Sequence, residues 1–231
     1  MNVILIIGIL SLLIKIAIIL LIVLSIGMAF FYIFIFGIVP GKIYNRFRIN
    51  SIMKKVKKMG PIKPEKENKI FITGHISEDK IIKVIREIKF LESDNRFPEI
   101  FILLKSRGGK IFATHALCQV MKKCKKPIVI TSSKAHSAAA LILCCGTKGK
   151  RLIYQGSKVF IHEVKIHIDK SDNLITKIFW LIERKRLNKI DSKLLAKKTG
   201  QSFKKVVNDR KNKTYFTAQE ALEYGFVDTI I

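Results

Sequence analysis

Apolar residues run almost without interruption through the start of the chain: from Val3 to Val39 the only ionised side chain is Lys15. A helix needs roughly 20 apolar residues to cross a bilayer. The pattern therefore predicts an anchor over residues 1–41, with a transmembrane helix at about Ile16 to Val39 and Lys15 snorkelling at one face. Basic residues follow, Lys42, Arg46, Arg48, Lys54, Lys55, Lys57 and Lys58, with no acid before Glu65. Residues 42–68, ending in the proline-containing stretch Gly60 to Asn68, read as a basic juxtamembrane linker. The charge bias places this side of the membrane in the cytoplasm and sets the linker against anionic headgroups. The expectation is a single-pass membrane protein with a cytoplasmic domain over 69–231.

In that domain the period of the pattern alternates between strand and helix. Lys69 to Thr73 predicts a buried strand, and Ser77 caps a helix carrying Ile81, Ile82, Ile85, Ile88 and Leu91. Glu99 to Lys105 predicts a second strand, followed by Ser106-Arg107-Gly108-Gly109 and a helix over about Ile111 to Lys123. Pro127 to Thr131 is a third strand, and Arg151 to Tyr154 and Lys158 to Glu163 are two more. A long helix from about Asp172 to Lys198 carries Ile175, Ile178, Phe179, Ile182, Leu187, Ile190 and Leu194, and its length predicts that it projects from the domain or meets another subunit. A polar helix follows over Ser202 to Lys211. The box Thr217-Ala218-Gln219-Glu220 starts a helix that Gly225 closes, and Phe226 to Ile230 is a last strand. Strands alternating with helices make the domain α/β.

The formal net charge of +26 raises the question of nucleic acid. The lysines are spread along the chain without aromatic interleaving or a recognisable nucleic-acid motif, so no specific nucleic-acid partner is expected. Cys118, Cys124, Cys144 and Cys145 lack paired C-x-x-C spacing and read as reduced thiols of the core. No cofactor or metal is called for.

Candidate chemistry concentrates at Ser132 to Gly146, where a strand gives way to a helix of small residues beginning at Ser137. A serine at such a turn exposes its hydroxyl beside a helix N-terminus, although most serines in that place are N-caps. Gly108-Gly109 leaves backbone N–H groups uncovered and suited to an oxyanion. His162 ends a strand. Alone it reads as structural, and it gains weight from a candidate nucleophile upstream.

Together these residues resemble the proteolytic subunit of the ATP-dependent Clp protease, within the Clp-crotonase superfamily. The resemblance covers roughly Ile70 to Ile231 and rests on an ordered series: Ile70 to Gly74, Ser106 to Gly109, Lys134 to Ala138, Gly146 to Arg151, Phe160 to His162, Thr199 to Ser202 and Glu220 to Asp228. It implies the Clp-crotonase fold, a repeated strand-strand-helix spiral, and a serine endopeptidase acting on peptides or proteins within a homo-oligomeric ring. It further implies Ser137 as nucleophile, His162 as general base, and the backbone N–H groups of Gly109 and Ala138 as the oxyanion hole. An ATP-dependent unfoldase is a partner of the family whose docking the residues here do not themselves imply.

The sequence also departs from the family. Lys213 stands where the family has its aspartate, leaving Asn212 and Asp209 as alternatives for the third role. Glu163 to Lys170 replaces a glycine-rich segment. The anchor resembles signal peptide peptidases and related membrane-bound enzymes that use a serine–lysine dyad, for which Lys193 is the candidate base, although it reads more simply as a solvated lysine. Two other readings share the residues: a catalytically silent ring subunit, and a crotonase-type enzyme acting on acyl-CoA thioesters.

Overall fold

The computed structural model describes residues 14–27, 39–166, 171 and 173–231. Two compact units divide the chain, Met1–Tyr44 and Asn45–Ile231. In the first, residues 14–27 form a helix (α1) whose side chains are all exposed, among them Ile14, Ile18, Leu21 and Leu24. Among the described residues no helix is long and apolar enough to cross a membrane. Much of the expected span at Ile16 to Val39 falls on residues 28–38, outside the described ones.

Helix α2 (Val39–Met59) occupies ground where the sequence reading has a linker. From Asn45 on it belongs to the second unit, and Ile49, Ile52 and Val56 are buried in the core. Their spacing of three and four residues puts one apolar stripe on a helix otherwise full of cations. Two of those cations have an internal partner: Arg48 and Lys55 both pair with Glu78, at 3.4 and 2.6 Å.

The second unit continues as β1 (Lys69–Ile76), α3 (Glu78–Ser93), β2 (Ile100–Gly109), α4 (Ile111–Lys123), β3 (Ile128–His136) and α5 (Ala138–Cys145). It closes with β4 (Arg151–Ile153), β5 (Lys158–Phe160), α6 (Leu174–Thr199), α7 (Phe203–Lys211), β6 (Tyr215–Thr217), α8 (Ala218–Tyr224) and β7 (Thr229–Ile230). The caps form as their residues dictate: the Ser77 side chain accepts from the Lys80 amide, and Thr217 and Glu220 make a reciprocal capping box. The strands run in the order β1-β2-β3-β4-β7, all in parallel, while β5 joins β3 in parallel and β6 in antiparallel sense. Helix α3 packs on β1 and β2, α5 on β2 and β3, and α4 against both helices.

One face of the sheet is deeply buried and the other is partly open. Along β2, Ile100, Ile102, Leu104, Ser106 and Gly108 are buried while Lys105, Arg107 and Gly109 are exposed. Among the described residues, helices cover one face of this part of the sheet, whereas parallel sheets ordinarily have both faces covered.

Helix α6 differs from its apolar-stripe reading. Leu174, Ile175, Ile178, Leu181 and Ile182 are exposed, and the buried positions are Glu183, Leu187, Asp191, Ser192, Leu195 and Thr199. Buried polar groups need partners, and α6 faces a set of them. Arg210, itself 3 % exposed, donates to Asn188 O and Ser192 Oγ at 2.7 Å and to Asp191 Oδ2 at 3.2 Å. His115 Nε2 donates to the other oxygen of Asp191 at 2.7 Å. The four cysteines are free; Cys118, Cys144 and Cys145 are buried, and burial pushes the Cys144 thiol up.

Candidate active site

Strand β3 changes partner along its length. It pairs with β4 from Ile130 to Ser132 and with β5 at Ala135 and His136, so the sheet forks on that side. The fork brings the end of β3 beside the end of β5. The Ser137 amide donates to the Phe160 carbonyl at 2.7 Å, and His162 lies two residues beyond that carbonyl.

Ser137 is half-buried and takes φ 57°, ψ −121°. A non-glycine residue held there stores strain of order 1–3 kcal/mol. Its side chain does not cap α5, which removes the ordinary explanation for a serine at a helix start. The helix that follows is sealed into the core, with Ala138 through Cys145 all buried.

The two glycines of β2 have separate tasks. A Cβ on Gly108 would lie 2.8 Å from His136 O, 3.0 Å from Ser137 Cβ and 3.1 Å from Ala138 N. Only glycine lets β2 come so close to the serine, and its φ of 97° requires glycine as well. Gly109 is instead pressed against β1, where a Cβ would meet Ile76 O at 2.2 Å. The turn is locked by Ser106, whose hydroxyl donates to Gly74 O at 2.6 Å and accepts from the Gly108 amide at 3.0 Å. Lys110 N–H donates back to Ile76 O at 2.8 Å.

The His162 ring bonds through Nδ1 to the carbonyl of Glu163. A carbonyl oxygen only accepts, so Nδ1 carries the hydrogen and Nε2 keeps its lone pair. Burial lowers the imidazole below its ordinary range; the Glu163 carbonyl opposes that shift, and the charges of Lys165, Arg210 and Lys213 reinforce it. Arg210 also holds this segment from below, donating to His162 O at 3.2 Å. Asn188 Oδ1 accepts from the Val164 amide at 2.7 Å.

The candidates for the third role are bonded to other groups or lie exposed. Asp209 accepts from Lys205 at 2.9 Å and from the Tyr224 hydroxyl at 2.7 Å. Asn212 is exposed, and Lys213 is an exposed residue in the left-handed region at φ 54°. Lys193 is exposed on α6. Nothing in the pattern of the sequence marked Arg210 or Asp191: both look like solvated charges on polar helices until packing buries them. His136, one residue before Ser137, packs edge-on against Phe160 and Tyr215, with ring centroids 5.7 Å away in both cases.

Among the described residues no cluster of His, Cys, Asp or Glu is arranged to hold a metal. What the site gathers is a strained, uncapped serine, a histidine two residues past the end of the adjoining strand, where the sequence reading extends that strand to Glu163, and the backbone amides of the Gly108-Gly109 turn and the α5 start. Such a set suits acyl transfer. Comparison with known families gives a match to the family model described as Clp protease over residues 62–231.

Proposed function

The chain belongs to the Clp protease family, and from that premise we propose that it is a serine endopeptidase whose nucleophile is Ser137 and whose general base is His162. The observation that carries the reading is the tie between the end of β3 and the end of β5, made by the Ser137 amide and the Phe160 carbonyl.

In the proposed reaction His162 Nε2 takes the proton of the Ser137 hydroxyl as Oγ bonds to the scissile carbonyl carbon. The oxygen becomes an oxyanion facing the N–H groups of Ala138 and Gly109, each such donor being worth about 3 kcal/mol. The C–N bond then breaks, the imidazolium gives its proton to the leaving amine, and water repeats the sequence to release the acid. The Glu163 carbonyl takes the part an aspartate has elsewhere: it fixes the tautomer and the ring orientation while leaving the imidazolium without a carboxylate partner. Lys213 is the observation that favours a second reading, a catalytically silent ring subunit.

Clp family members typically act on peptides within oligomeric rings, and we place this chain in that setting. The exposed apolar first half of α6, from Leu174 to Ile182, is the surface proposed for contact between copies. Residues 1–41 are proposed as a single-pass anchor with the catalytic domain in the cytoplasm. Support comes from the apolar composition and from α1, apolar and exposed on every side. Hydrolysis of a quenched-fluorescence peptide by the full chain tests the activity. The expected result is turnover that Ser137→Ala abolishes; turnover unaffected by that change rejects the assignment.

A further inference from the structure

We propose that the cleft takes acidic peptide segments on both sides of the scissile bond. This rests on the peptidase reading above and assigns that site its substrate class. Two cavities flank the Ser137 and His162 elements. One, of about 490 Å³, lies on the open face of the sheet beside Gly108 and Gly109 and is walled by Lys105, Arg107 and Lys134. The other, of about 540 Å³, begins at His162 and is walled by Lys165, Arg184, Lys211 and Lys213. Glu163 is the one acidic residue of the two linings. Across the whole chain 43 basic residues face 17 acidic ones, and the two linings concentrate that excess at the site.

The arrangement within the sheet is costly without a ligand. Lys105 and Lys134 are direct partners in the β2–β3 ladder, about 4.8 Å apart as neighbouring strands dictate. Like charges set opposite each other destabilise a sheet. Among the described residues none of these cleft lysines has an acidic partner; five lysines elsewhere do, Lys55, Lys83, Lys148, Lys150 and Lys205. Others such as Lys122 and Lys123 are unpaired on the open surface, so what sets the cleft lysines apart is their convergence on one site. Unpaired like charges kept at the two mouths of a site are the complement of a ligand carrying the opposite sign. Both histidines there feel the same field: Lys134 and Arg107 add to the burial that lowers His136, and Lys165 and Lys213 to that which lowers His162. In the pose that the proposal requires, an extended peptide lies across Ser137 with Asp or Glu on each side of the cleaved bond, one toward each cluster.

The test uses the full chain carrying Ser137→Ala and measures binding, so that it stands apart from catalysis. A fluorescent octapeptide with Asp and Glu flanking its centre is compared by anisotropy with the Asn and Gln version. The acidic peptide is expected to bind at least 10-fold more tightly at low salt, with the gap closing as salt screens the clusters. Lys105→Gln with Lys134→Gln, and separately Lys165→Gln with Lys213→Gln, are expected to shrink the gap several-fold. Lys122→Gln with Lys123→Gln, exposed at the far end of α4, removes equal charge and is expected to leave it. Equal affinity for the two peptides overturns the inference, as does an equal loss in the Lys122 and Lys123 variant, or an oligonucleotide of equal length that displaces the acidic peptide equally well. Failure of the wild type to cleave any peptide while acidic binding persists would count against the peptidase reading alone.

Discussion

The Ser137 amide donates to the Phe160 carbonyl at 2.7 Å, and that bond ties the residue proposed as nucleophile to the strand that leads to the proposed base. Ala135 and His136 pair with Val159 and Phe160 in parallel register, so the segments that carry Ser137 and His162 leave neighbouring strands of the sheet. If His162 serves as the base, His162→Ala should lower kcat/KM by about 10²- to 10⁴-fold, the usual worth of a positioned base. Lys193→Ala, on an exposed position of α6, should leave it within twofold. The reverse pattern in steady-state kinetics would make the site a serine–lysine dyad.

The pH profile should carry the mark of a depressed imidazole. The active base is the neutral ring, and a lowered pKa keeps it neutral to lower pH. The acidic limb of kcat/KM should therefore fall below the ordinary histidine value of about 6.5. Lys213→Asp exchanges a charge that lowers the pKa for one that raises it, and should move the limb upward. Added salt should move it upward only in part, because burial is the larger cause and salt does not screen it. A wild-type limb above 6.5 at low salt would contradict the account.

Gly108→Ala should impair both the reaction and the fold, because its φ of 97° requires glycine. The new methyl would press on His136 O and Ala138 N, 2.8 and 3.1 Å away, displacing an amide proposed for the oxyanion. A loss of about 10²-fold in kcat is expected, the size seen when such a donor is misplaced. Paired measurements of kcat and thermal stability check this. A variant with full kcat would remove Gly108 from the site's architecture.

Arg210 should matter for stability. Removing it leaves Asp191, 2 % exposed, with its charge buried and only His115 beside it. Arg210→Met should cost about 3–5 kcal/mol in denaturant unfolding, the range for breaking a buried pair. Arg210→Lys should recover little, since an ammonium cannot reach Asn188, Ser192 and Asp191 together. A cost under about 1 kcal/mol would show that the network is not a structural support.

Local signals were legible where they are self-contained. The Ser77 cap and the Thr217–Glu220 box follow from side chains acting on their own backbone, and α4 and the small-residue helix after Ser137 follow from the apolar pattern of their own residues. The ends of β2 and β3 were not, because Lys105 to Gly109 and Ser132 to His136 are polar or glycine-rich and are held as strand by pairing with neighbours. The short strand β6 depends in the same way on β5. The inner face of α6 was misread because Glu183, Asp191 and Ser192 look solvent-facing until their long-range partners are known. For the same reason the sequence pointed to Ser137 and His162 as candidates, yet gave no sign of the Glu163 carbonyl or of Arg210 beneath it.

The central claim is that Ser137 is a nucleophile activated by its surroundings, and covalent labelling tests it most directly. The full chain should react with a fluorophosphonate probe, and mass analysis should find the adduct on Ser137, with labelling lost in Ser137→Ala and sharply slowed in His162→Ala. Well-folded wild-type protein that takes up no probe, or takes it up at another serine, would contradict the account.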